Sequence, residues 1–373
     1  MTPAAAFPFR AIAAIGAAMS ASLPEPPTAQ PRAIARWLYA VASLVFLIIV
    51  VGGITRLTES GLSIVRWEVV TGTLPPLNDA AWQAAFDAYR TSPQYLEINR
   101  GMSLDAFKEI YFWEYVHRLL GRVIGLAFAL PLAWFAWKRA IPRGYGWRLV
   151  ALLLLGGLQG VIGWWMVASG LIDQPDVSHI RLAIHLLLAL FIFAALIWNA
   201  LDLMTLARDP AMKPVRMTTP GIWTLSILAL QMLFGAYVAG LDAGHAYSSW
   251  PKMGNEWFPS GTPMLEPFVR NFVDNPIVVQ FVHRWLAFAV AIAACLFAFA
   301  AWDRGLRHEA AWVIMAVIVQ IVLGIATLLT GVDIHIAVAH QGMGALLLGA
   351  IILCAHRLGE RQLDERQLDE QKP

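Results

Sequence analysis

The sequence predicts an all-α integral membrane protein whose eight transmembrane helices form two four-helix bundles related by a pseudo-twofold axis. Three observations carry that prediction. Of the 373 residues, 58% are hydrophobic and only 14% are charged, against about 25% charged in soluble domains. The chain holds seven charge-free runs near the ~20 residues that a helix needs to cross a bilayer, and an eighth that reaches this length when extended. The second half also repeats features of the first. A formal net charge of +2 gives no electrostatic drive toward nucleic acid. Both cysteines, Cys295 and Cys354, lie in apolar runs, so neither a disulfide framework nor a cysteine metal site is expected.

In chain order, residues 1–35 are rich in Ala and Pro and read as a cytoplasmic tail, with Ala11–Met19 resembling a signal-peptide core. Span one is Trp37–Ile54. A long outer segment, Arg56–Glu109, follows, with amphipathic patches such as Ala81–Tyr89. Span two is Val123–Trp137 extended back to about Tyr111. That extension carries Glu114, His117, Arg118 and Arg122 into the membrane or its outer interface, where ionisable groups are costly and point to function. Spans three to eight are Leu149–Ile172, Leu182–Leu201, Met217–Leu241, Trp285–Trp302, Ala310–Val332 and Ile334–His356. A second long outer segment, Asp242–Pro276, holds Trp250, Pro251 and Trp257. Both outer segments are expected to fold as short elements over the outer ends of the helices.

The division is therefore a first half at 36–205, a second half at 206–357, and a charged tail at 358–373. In that tail Arg-Gln-Leu-Asp-Glu occurs twice (Arg361–Glu370), and a solvated segment is expected. Lys138, Arg139, Arg143 and Arg148 lie between spans two and three, Arg208, Lys213 and Arg216 between four and five, and Arg304 and Arg307 between six and seven. Asp173, Asp176 and Asp333 mark the opposite loops. Positive loops stay inside, so both termini are expected in the cytoplasm.

Glu114-Tyr-Val-His117-Arg118-Leu matches Gln280-Phe-Val-His283-Arg284-Trp, and Gln159-Gly-Val-Ile-Gly163 matches Gln320-Ile-Val-Leu-Gly324. His185 falls opposite His340. Span one runs into Gly53 and Ser60-Gly61 with Trp67 beyond, and span five runs into Gly235 and Ala243-Gly244 with Trp250 beyond. Each unit has an even number of spans, so the two share one orientation, and their symmetry axis lies along the membrane normal.

From His117 to Lys138, His283 to Asp303, His185 to Asp202 and His340 to Arg357 the separation is 17 to 21 residues. At about 1.5 Å per residue that is roughly 25–32 Å from the inner charges. All four histidines thus lie at similar height in the outer half of the bilayer. Two imidazoles at equal depth on facing helices suit axial ligation of a heme. A single intramembrane histidine can equally be a polar packing residue, but four in repeat-related pairs favour heme. Zinc lacks a third and fourth ligand in either pair. His179, His245, His308, His335 and His356 have no repeat partners. Arg118 and Arg284 follow the first histidine of each pair and either hold heme propionates or snorkel to headgroups.

Glu114 lies three residues before His117 on the same helical face, and its repeat partner is Gln280. One half therefore owns an acid/base group that the other lacks. This suggests chemistry in the first half and a static redox heme in the second; the alternative is an acidic residue that favours a helix N-terminus.

At these residues the chain resembles the heme A synthase family, in its mitochondrial and alphaproteobacterial form, over about Arg36–Arg357. The most specific stretches are Gly52–Ser63, Glu114–Arg118, Trp250–Met253 and Gln280–Arg284. The resemblance implies oxidation of the C8 methyl of heme O to the formyl of heme A through a hydroxymethyl intermediate, with water as oxygen source. It implies a permanent heme b between His283 and His340, with Arg284 beside it. Substrate heme O would bind between His117 and His185, beside Arg118, with Glu114 as the essential acid. Some relatives carry a cysteine pair in the first outer segment; this chain has none there. Heme O synthase and cytochrome oxidase assembly factors are the implied partners, with a homo-oligomer left open. An Arg-rich, Ala-rich chain points to a bacterial inner membrane over a mitochondrial one. A di-heme b-type electron-transfer subunit, or a heme transporter or chaperone, would use the same histidines.

Overall fold

The computed structural model describes residues 28–66, 71–172 and 175–370; Ala11–Met19, Trp67 and Asp173 lie outside them. Among the described residues, eight helices are long and apolar enough to cross a membrane. They are Pro31–Leu57, Leu104–Trp137, Gly146–Gly170, His179–Arg208, Thr219–Gly240, Pro276–Asp303, Arg307–Leu329 and Ile334–Glu370, numbered below as spans one to eight. Their starts follow ordinary capping chemistry. Ser103, Ser178, Thr218 and Asn275 each accept a backbone N–H of the first turn through their side chains, satisfying a donor that the helix leaves open. Pro at the start of spans one, five and six occupies positions where its missing N–H costs nothing.

Consecutive spans pack on one another, and span one also packs on span four, as span five does on span eight. Spans one, four, five and eight supply the contacts between the two halves: four on five, one on eight, and four on eight. The shared core is mainly aliphatic and lies toward the end of the helices that carries both termini, with Leu38, Val45, Leu196, Leu347 and Ile351 buried. Spans two and three are peripheral, and Leu126, Leu130, Leu154 and Leu158 are exposed as lipid-facing side chains would be.

Several helices run beyond the charge-free runs, span six by nine residues at its start (Pro276) and span four by seven at its end (Arg208), and two further boundaries have a clear cause. Span two starts at Leu104, because its first turns carry Phe107 into a small aromatic core. There Phe86 and Tyr89 of the short helix Asp79–Tyr89 meet Tyr95 of Pro93–Glu97. The outer segment thus folds as short elements over the outer ends. The last helix does not stop near His356 but continues to Glu370. Its charged end is anchored: Glu360 pairs with Arg208 at 3.1 Å, and Glu365 with Arg304 at 3.0 Å.

Candidate functional site

The segment leaving span one builds the outer wall of the site. After span one ends, Glu59 takes a left-handed backbone conformation (φ 53°), and residues 60–66 return across span two. There Glu114, only 3% exposed, accepts four hydrogen bonds. One carboxylate oxygen accepts from Ser63 Oγ and from the Ile64 N–H, both at 2.7 Å. The other accepts from Arg118 Nε at 3.0 Å and Nη2 at 2.5 Å. Arg118 also donates to the carbonyls of Ile64 (2.8 Å) and Arg66 (3.1 Å). Each buried charge is offset by the other and by a full set of hydrogen bonds, the condition under which burial is tolerated.

The second half repeats this construction with the polarity reversed. Asp242 is left-handed (φ 50°), and the segment beyond it crosses span six. Gln280 donates through Nε2 to the carbonyls of Tyr247 (3.0 Å) and Gly244 (3.4 Å). Arg284 donates to those of Ser249 and Tyr247, both at 2.7 Å. The first outer segment points a hydroxyl and an N–H at position 114; the second points carbonyls at position 280. A carboxylate suits the former and an amide N–H the latter, so the Glu/Gln difference has a structural counterpart. Both arginines, which the sequence offered to propionates or headgroups, bind backbone carbonyls of these segments.

The four repeat-paired histidines lie on spans two, four, six and eight. His117 and His185 lie within electrostatic reach of each other, as do His283 and His340. All four side chains are only partly covered. Each ring edge rests on a glycine of the preceding span. A Cβ added to Gly52, Gly163, Gly235 or Gly324 would stand 3.1, 2.9, 3.0 or 2.9 Å from Cε1 of His117, His185, His283 or His340. Gly52, not the Gly53 matched by the sequence reading, is thus the counterpart of Gly235; Gly53 faces Gln341 instead. Two glutamines reach the rings. Gln159 Nε2 is 3.1 Å from His185 Nδ1 and donates to the His185 carbonyl at 3.0 Å. Gln231 does the same to His283 at 3.2 and 3.1 Å. Gln231 was missed in the sequence, although Gln-x-x-x-Gly recurs in spans three, five and seven. Among the described residues, Nδ1 of His117 and of His340 is buried without a hydrogen-bond partner.

The unpaired histidines separate. His245, His308 and His335 are exposed. His179 lies 3.3 Å from Asp274 at the outer side. His356 is fully buried at the inner side, 2.9 Å from Asp202, which also accepts from Arg148 at 2.8 Å. A cavity of about 520 Å3 lies under the first outer segment, lined by Ser63, Leu77, Tyr111, Tyr115, Arg118 and Arg122 among others.

Two imidazoles in each half, each with its Cε1 edge against a glycine, fit a heme with two axial histidines. Comparison with known proteins agrees. Residues 35–352 match the model of the COX15-CtaA family, described as cytochrome oxidase assembly protein. A heme A synthase of Rhizorhabdus wittichii is 58% identical over 87% of this chain and 94% of its own. One of Sphingopyxis alaskensis is 52% identical over 86% and 90%, and one of Bradyrhizobium diazoefficiens 48% identical over 86% and 90%. With nearly its whole membrane region matched, this chain belongs to the COX15-CtaA family of cytochrome oxidase assembly proteins.

Proposed function

We propose that this chain is a heme A synthase, an oxidoreductase that converts the C8 methyl of heme O into the formyl of heme A for cytochrome oxidase assembly. Similarity of 46–58% identity to relatives bearing that name supports the activity. The observation that carries the site is the double histidine pair, each ring on its own glycine. Conversion of the methyl to a formyl with one water releases four electrons and four protons, so the site must admit water and accept protons. Glu114, buried in the first half where the second half has Gln280, supports placing the substrate between His117 and His185. Heme b, held by His283 and His340, would supply one-electron transfer.

Glu114 would place a carboxylate beside the substrate, where it stabilises positive charge developing on the substrate carbon or accepts the proton released. Arg118 keeps the carboxylate oriented while Ser63 and Ile64 hold the outer wall over it. The packing of spans one, four, five and eight supports two four-helix halves about a pseudo-twofold axis. The basic inner loops support both termini inside, and the bacterial relatives support an inner membrane. The test is mass analysis of hemes extracted from purified protein co-expressed with a heme O supply. Heme A is expected; heme O alone, unconverted, would overturn the reading in favour of an electron-transfer or heme-carrying protein.

A further inference from the structure

Every heme-ligand candidate meets the same kind of residue, on a different helix each time. His117 lies on Gly52 of span one, His185 on Gly163 of span three, His283 on Gly235 of span five and His340 on Gly324 of span seven. The atom nearest the missing methyl is Cε1 in all four cases, with Nδ1 next at 3.4–3.6 Å. One ring edge, carrying Cε1 and Nδ1, therefore faces the neighbouring backbone. Carbon atoms pack at about 3.5–4.0 Å, so an alanine methyl at any of these glycines would force the ring away by about 0.5–1 Å. A free side chain absorbs such a shift by turning about its χ angles. A ring fixed to a metal has no such freedom, since the bond sets both its distance and its tilt.

Other helix glycines meet something else or nothing: a Cβ on Gly53 meets Gln341 Oε1 at 2.8 Å, one on Gly170 meets Leu62 Cδ1 at 2.7 Å, and one on Gly240 meets the Cβ of His179 at 2.6 Å, not its ring. A Cβ on Gly156, Gly157 or Gly160 of span three meets nothing within 4 Å, and one on Gly342 of span eight meets Val50 at an ordinary 3.5 Å. Small residues are common wherever membrane helices approach closely, but among the described helix glycines only these four meet the Cε1 edge of a histidine ring.

We propose that Gly52, Gly163, Gly235 and Gly324 are positioning residues, each setting the tilt and reach of one heme-ligating histidine ring. The proposal rests on the reading that these histidines bind heme, and its test separates the two. Gly235→Ala and Gly324→Ala are made in the full chain, purified beside Gly342→Ala, His283→Ala and His340→Ala. Heme per chain, the optical spectrum and the low-spin electron paramagnetic resonance signal are measured. The glycine variants are expected to lose most of the second-half heme or to shift its low-spin signal, and Gly342→Ala to match the parent. Should a glycine variant fail to accumulate, the double variant Gly324→Ala/His340→Ala decides: with the ring gone the methyl has nothing to strike, so accumulation returns to that of His340→Ala alone. Unaltered heme content and signal in both glycine variants, with heme lost in the histidine variants, would overturn the positioning role and leave the ligand assignment standing. Failure of the double variant to recover would overturn it too. An unaltered spectrum in the histidine variants would instead remove the ligand assignment on which the proposal rests.

Discussion

Glu114→Gln tests the proposed chemistry, and the structure sets what the substitution removes. The carboxylate accepts four hydrogen bonds, two from Arg118 and two from the outer segment. An amide has one oxygen, so its NH2 must face two donors. Facing the segment is the milder choice: the Ser63 hydroxyl can turn to accept, but the Ile64 N–H is left without an acceptor, at about 1–3 kcal/mol. Facing Arg118 instead sets the NH2 against the guanidinium donors; in both orientations Arg118 loses its carboxylate, at up to about 3–5 kcal/mol. The variant therefore loosens the outer wall as well as deleting a proton acceptor, and activity alone cannot apportion the loss. Ser63→Ala supplies the control, because it removes one charge-assisted hydrogen bond, about 1.5–3 kcal/mol, and keeps the carboxylate. In membranes supplied with heme O, with products resolved by mass, Glu114→Gln should lose on the order of 100- to 10,000-fold in heme A formation. Ser63→Ala should stay within about tenfold of the parent, a modest share of the bond it loses. Both should retain heme through His283 and His340. Equal losses in the two variants would make the carboxylate a pin for the segment, and near-normal heme A from Glu114→Gln would refute any chemical role.

Further outcomes follow from single contacts. His283→Ala or His340→Ala should remove a six-coordinate low-spin heme signal; an unchanged spectrum in both would move the cofactor elsewhere. Gln280→Glu should lower thermal stability, since it replaces a donor to Tyr247 and Gly244 by an oxygen facing their carbonyls. Parent-like melting in detergent would count against the polarity match. Asp202→Asn should cost about 3–5 kcal/mol by stripping Arg148 and His356 of a buried carboxylate. A melting shift no larger than that of Glu365→Gln, which breaks an exposed pair worth about 0–1 kcal/mol, would contradict this. Ile48→Gln should slow release of product from the first half, with heme A copurifying; release at the parent rate would dismiss the missing amide as a cause of exchange.

Eight spans were legible because charge-free runs of membrane length have no other stable home. The histidine pairs were legible because the repeat brings out residues that a single helix would hide. Hydropathy could not place the start of span two, since Phe107 and Tyr111 look alike whether they face lipid or the aromatic core of Phe86, Tyr89 and Tyr95. Nor could local charge reveal that the C-terminal repeat continues the last helix, because the partners of Glu360 and Glu365 are Arg208 and Arg304, far away in the chain. Gln231 had no counterpart to reveal it. Span five was compared with span one, which has isoleucine four residues before its glycine in either register, so the recurrence of Gln-x-x-x-Gly in spans three, five and seven went unread. The Glu114/Gln280 contrast was visible, but the backbone polarity that accompanies it was not, because carbonyl direction depends on a turn whose course the sequence does not specify.

The departures from the repeat gather at one place. Span one puts Ile48 where spans three, five and seven have glutamine, and its Cδ1 lies 3.7 Å from where a Cβ on Gly121 would stand, one turn past His117. That is the position that Gln320 takes beside Gly344, one turn past His340. A ligating histidine is usually held through its second ring nitrogen, which fixes its orientation and raises its basicity. Gln159 and Gln231 are placed to do this for His185 and His283, whereas among the described residues Nδ1 of both His117 and His340 has no hydrogen-bond partner, and only near His117 is the glutamine replaced by an aliphatic side chain. The carboxylate of Glu114 and the outer cavity belong to the same helix and the same half. A permanent cofactor gains from two firmly held ligands, whereas a substrate that must leave after oxidation gains from one that can let go. An unpartnered ring nitrogen beside isoleucine instead of glutamine, the buried carboxylate of Glu114 and a cavity lined from the same helix thus lie together near His117, which is where a heme that enters and departs would be handled.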